Sequence, residues 1–101
     1  MTINSFISPD GTELTISVQG GFDFSAHQDF RRSYESLEGT PGAYAVDMSE
    51  TTYLDSSALG MLLLLRDHAG GDTSTVKIVN CSPDVKKILT ISNFEQLFAI
   101  Q

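Results

Sequence analysis

Asp55, Ser56 and Ser57 place a carboxylate and two adjacent hydroxyls at the mouth of an apolar run, in the stretch YLDSSALG followed by MLLLLRDHAGG. Three chemistries suit such a triplet: helix capping, nucleophilic catalysis and acceptance of a phosphate. Capping needs one polar side chain, Asp55 or Ser56, to accept from the first unpaired N–H groups of a helix. The remaining hydroxyls exceed that need. Nucleophilic catalysis needs a base near the serine, and the sequence offers none: no Gly-x-Ser-x-Gly turn is present, His27 falls early in one helix and His68 at the far end of another. Both histidines read more simply as surface residues. Asp23 and Asp55 as paired catalytic carboxylates would require a sizeable pocket, which a domain this small does not imply. Gly20-Gly21 is followed by no Gly-Lys and is not a phosphate loop. A phosphate on a serine at a helix start is physically well placed, because free N–H groups and the helix dipole face it.

The elements that must position these groups alternate between strand and helix. INSFIS and TELTISVQG flank the turn signal PDG and predict an N-terminal hairpin, with Ile3, Ile7, Leu14, Ile16 and Val18 facing inward. After Gly20-Gly21, Ser25 and Gln28 have the spacing of a capping box, Phe30, Tyr34 and Leu37 recur at helical intervals, and Gly39 is a stop. AYAVDM and TVKIVN predict buried strands. Ser82 and Pro83 predict the start of a further helix, and NFEQLFAI a helical turn and a strand. The order β-β-α-β-α-β-α implies an α/β sandwich, a mixed sheet with parallel central strands packed against helices. Around the run from Leu59 to Leu65 almost no polar face remains, so loops or a partner must cover what the sheet does not.

Composition narrows the function. A chain of 101 residues, 41% hydrophobic, fits a single domain over residues 1–101. Thirteen acidic against six basic residues give a net charge of −7, which repels the phosphate backbone of nucleic acids. Direct nucleic-acid binding is therefore not expected. The longest apolar run is far shorter than the ~20 residues of a membrane span, and the opening residues do not read as a signal peptide. Cys81 is the one cysteine, and with two distant histidines it supplies no zinc ligand set. The expectation is a cytoplasmic protein without metal or cofactor.

YLDSSALGMLLLLRDHA, with GGFDFSAH upstream and VKIVNCSPDVKKILTISNFEQLF downstream, resembles the STAS domains of anti-sigma factor antagonists in bacterial partner switching. The resemblance covers essentially the whole chain, and Ala58 stands where glycine is frequent in the family. It implies a non-enzymatic STAS-type sandwich whose partners are an anti-sigma factor with serine kinase activity and a PP2C-type phosphatase. Ser56 matches the family's phosphoacceptor. Asp23, Phe24, Asp55, Ser56, Ser57 and Met61 are the expected partner contacts, since the FDFSAH loop and the SSALG helix both follow strands and should share one end of the sheet. STAS-like domains also serve as structural subunits of transport complexes, which is the alternative role.

Overall fold

A computed structural model describes residues 2–37, 41–71 and 75–101. Two strands open the chain, β1 (Thr2–Ile7) and β2 (Glu13–Phe22), antiparallel with Ile3 opposite Val18 and Ile7 opposite Leu14. The turn between them is built by Asp10. Its Oδ1 accepts from the Ser8 hydroxyl at 2.7 Å, the Thr12 hydroxyl at 2.8 Å and the Thr12 N–H at 3.2 Å. Gly11 supplies the left-handed step, with φ of 74°.

After a 3-10 turn at Phe24–Ala26 come α1 (His27–Glu35), β3 (Ala43–Asp47), β4 (Thr51–Leu54) and α2 (Ser56–His68). The chain closes with β5 (Val76–Val79), α3 (Pro83–Ile91), a 3-10 turn at Phe94–Gln96 and β6 (Ala99–Ile100). The strand order is β1-β2-β3-β5-β6, with every pair except β1–β2 parallel. β2 is long enough to serve two parallel neighbours. Glu13 to Ser17 pair with β3, and after a register shift at Gly20/Gly21 the segment up to Phe22 pairs with β4. The mixed sheet with parallel central strands is the one expected, packed against helices as an α/β sandwich.

The core follows the two periodicities. Leu14, Ile16, Val18 and Phe22 alternate along β2 and meet Phe30 and Tyr34 of α1, Ala58, Met61, Leu62 and Leu65 of α2, and Val85 and Leu89 of α3. Ser82 caps α3 by accepting from the Val85 N–H at 3.2 Å, and Pro83 fills the first helical position, both as expected. The closing helical turn and strand are present too. No helix among the described residues is long and apolar enough to cross a membrane.

Four expectations need correction. Ile7 faces the core side but is 44% exposed, because β1 is an outer strand with a neighbour on one side only. β4 is a strand that no sequence signal marked. Ser25 and Gln28 form no capping box: Asp23 caps the 3-10 turn, and α1 begins at His27 after Ala26, without a side-chain cap. α1 ends at Glu35 with Ser36 closing it, while Gly39 lies outside the described residues.

Candidate functional site

β2 and β4 run parallel and end side by side. Phe22 pairs with Leu54, and the Asp55 N–H donates to the Phe22 carbonyl at 3.3 Å. Whatever follows these two strands therefore shares one end of the sheet. Beyond β2 lies Asp23-Phe24-Ser25, and beyond β4 lies the first turn of α2.

Asp23 is held from two sides. Its Oδ1 accepts from the Ser25 N–H at 2.9 Å and the Ser25 hydroxyl at 2.5 Å, and its Oδ2 accepts from the Tyr53 hydroxyl at 3.0 Å. Tyr53 reaches it by lying over Gly21, where a Cβ would overlap the tyrosine ring. A glycine is required there for the close approach. Sequence reasoning missed Tyr53 as a member of this group; the available signal was the Gly-Gly pair inside a strand pattern.

Asp55 caps α2 in an extended conformation, its Oδ1 accepting from the Ala58 N–H at 3.1 Å and from the Ser57 hydroxyl at 2.6 Å. The choice left open between Asp55 and Ser56 as the cap is thereby decided for Asp55. Ser57 is engaged. Ser56 is exposed, and its hydroxyl has no partner among the described residues. The Ser25 hydroxyl, then the Ser25 N–H and Tyr53, hold the Asp23 carboxyl below its ordinary value. The Ser57 hydroxyl and the Ala58 N–H do the same for Asp55, opposed in small part by the negative charge of Asp23. Accepting that donor's bond, Asp23 in turn pushes the Tyr53 phenol up. Both carboxylates are ionised at neutral pH, beside an unengaged hydroxyl.

Phe24 is 70% exposed and stacks on His27 with ring centroids 5.4 Å apart. It is no part of the core. The two rings and Ser25, Gln28 and Asp29 line a shallow surface hollow. His68 lies elsewhere, against Tyr34 in the groove between α1 and α2. Among the described residues no group of three His, Cys, Asp or Glu side chains is placed to hold a metal. The structure thus gathers Asp23, Phe24, Tyr53, Asp55, Ser56 and Ser57 at one end of the sheet. Met61 does not join them: it is 4% exposed, pointing into the core in the stripe that Ala58, Leu62 and Leu65 share.

Residues 5–99 match the family model described as "Mlab, STAS domain". A STAS-domain containing protein of Pseudomonas aeruginosa (strain UCBPP-PA14) is 64% identical over 100 residues, covering 99% of both chains. The Bacillus cell fate determinant SpoIIAA in its phosphorylated form is similar in structure, with a TM-score of 0.74 at 16% identity over 99% of this chain and 91% of that one. A sulfate transporter family protein from Wolinella succinogenes gives 0.75 at 16% identity, over 90% of this chain and 74% of that one. At such identities the solved structures speak for the fold, and the fold they share is the one described above. With the family model spanning nearly every residue and a full-length relative at high identity, the chain belongs to the STAS-domain family.

Proposed function

We propose that this protein is an anti-sigma factor antagonist controlled by phosphorylation of Ser56. Unphosphorylated, it binds an anti-sigma factor that is also a serine kinase, and so frees a sigma factor in the bacterial cytoplasm. The kinase transfers the γ-phosphoryl group of ATP: the Ser56 Oγ–P bond forms, the terminal anhydride bond breaks, ADP leaves and the hydroxyl proton passes to a base of the kinase. Hydrolysis by a PP2C-type phosphatase restores the binding form.

The observation that carries this reading is the exposed, unengaged Ser56 hydroxyl at the start of α2, with Ser57 tied to Asp55. A phosphate there adds about −1.5 to −2 charges at a helix end that favours anions, so the fold tolerates it. An interface packed on neutral Ser56 does not. It would have to desolvate a dianion beside the ionised Asp55 and near Asp23, and a net loss of ~3 kcal/mol already weakens binding more than a hundredfold. Phe24, exposed beside it, supplies an aromatic anchor. The likeness to SpoIIAA, whose fold accommodates a phosphorylated form, supports the same reading.

Ser56→Ala and Ser56→Asp baits in native cytosol test it, with partners identified by mass spectrometry and wild-type phosphate mapped by peptide sequencing. The expected result is phosphate on Ser56, capture of a kinase-type partner by Ser56→Ala, loss of that capture with Ser56→Asp, and equal thermal stability of the two. Equal capture by both folded variants favours the second reading, a constitutive subunit of a larger complex. The likeness to a sulfate transporter family protein is what supports that alternative.

A further inference from the structure

β1 pairs with β2 along all six of its residues and with no other described strand. Part of an outer strand's backbone donors and acceptors point away from its one neighbour, which makes it a template for another strand. Proteins keep such edges apart with charges, prolines, bulges or very short strands. At the other end of the strand order, β6 is only two residues long. None of these devices protects β1. Its sequence TINSFI has no charge, proline or glycine, and its register against β2 runs without a shift.

The edge is also unfinished in its packing. Ile3, Ser5 and Ile7 lie opposite Val18, Ile16 and Leu14 and so share the core-facing side, while Thr2, Asn4 and Phe6 face the other way. Ile3 is half-buried and Ile7 is 44% exposed on the first side, and Phe6 is 63% exposed on the second. Strand pairing would cover both.

We propose that the occupant of this edge is a second copy of the chain, with β1 antiparallel to β1 of the copy about a two-fold axis through Ser5. An axis perpendicular to the sheet keeps each face on its own side, so residues directly opposite must have the same parity. Centred on Ser5, that register sets Ile3 against Ile7 of the copy, Ile7 against Ile3, and Asn4 against Phe6. Two Ile–Ile pairs then continue the core layer across the axis. Centring on Asn4 would instead set Ile3 against Ser5 and leave Ile7 unmatched.

Charge selects the same occupant. Copies carrying −7 each repel one another, and they approach best where the surface is neutral. β1 is uncharged, and α1, which packs beside it, carries two arginines, Arg31 and Arg32, and two carboxylates, Asp29 and Glu35, with Arg31 paired to Glu35 at 2.9 Å. A basic partner would gain nothing at this edge. An identical edge offers matching hydrogen bonds and no like-charge contact. Six-residue edges make a small interface, so the dimer is reversible.

Sedimentation equilibrium from micromolar to millimolar protein tests the proposal. The wild type should form a dimer as concentration rises. Ser5→Lys and Ser5→Glu, each setting like charges across the axis, should weaken the dimer at least tenfold with thermal unfolding little changed, and an equimolar mixture of the two should restore it. A second route tolerates a poorly folding charge variant. Ser5→Cys in a Cys81→Ser background should form an intermolecular disulfide on mild oxidation, because directly opposed antiparallel residues lie ~4.5–5.5 Å apart, within disulfide reach. A wild type monomeric throughout, or a dimer indifferent to the charge at position 5, would overturn the proposal. So would a failure of the mixture or of the cysteine variant to pair.

Discussion

Tyr53 shows how one glycine can set the state of a carboxylate two residues away. Its ring occupies the space above Gly21 and its hydroxyl donates to Asp23. In Gly21→Ala the added methyl collides with the outer end of an exposed side chain, so the ring swings aside and the fold persists. Asp23 then loses one of the hydrogen bonds that lower its pKa. Its carboxyl should titrate closer to the ordinary 3.8 and the Tyr53 phenol closer to 10.0, as read by NMR and by tyrosinate absorbance. An unchanged Asp23 titration in a folded variant would refute the coupling. Legibility at this scale divides by distance along the chain. The Asp-Ser-Ser triplet is local, and its motif stands out in the sequence. The Tyr53–Asp23 bond spans thirty residues and exists only because two parallel strands end together.

At the scale of elements, α2 explains why an apolar segment does not declare its buried side. Apolar residues surround most of it, so no stripe stands out, and Met61 reads as readily as a surface contact as it does as core. The sheet decides. Leu62 is fully buried, whereas Leu64 is 53% exposed over the groove beside α1. Leu62→Ala should therefore cost ~2–5 kcal/mol in denaturant unfolding, while Leu64→Ala should stay within ~0.5 kcal/mol. Similar losses at both would show that α2 sits in another rotation. β4 escaped notice for a related reason: at four residues, with buried ends around two exposed ones, it has no alternation to detect. The helix starts marked by Ser82-Pro83 and by Asp55-Ser56 were legible because capping is a local chemistry. The Ser25–Gln28 spacing misled because Asp23, two residues before Ser25, accepts from the Ser25 N–H, the donor that the Gln28 side chain would have bonded in a capping box.

For the whole molecule, acid is the condition that reads out these local bonds together. Asp10, Asp23, Asp47 and Asp55 all have lowered pKa values in the folded chain. The largest drop is at Asp10, to about 2, through the hydroxyls of Ser8 and Thr12. At Asp47 burial works upward, and the Ser49 N–H and Asn80 amide outweigh it. Depressed values mean that the unfolded chain binds protons first. The stabilisation is complete above the unfolded value near 3.8 and is lost as pH falls through the folded values toward about 2. Thermal unfolding should thus move to lower temperature as pH drops from 5 to 2, and Asp10→Asn should flatten the lowest part of that decline. A melting temperature that held steady or rose would contradict it. The architecture class was readable from the alternation of strand and helix signals, because β-α-β crossovers imply parallel central strands whatever the single residues are. One consequence of that order concerns synthesis. β2 meets β1 a few residues away, but its parallel neighbours begin at Ala43 and Thr51. A nascent chain emerging from the ribosome can close the hairpin at once, yet the second edge of β2 stays unpaired until some thirty further residues have been translated.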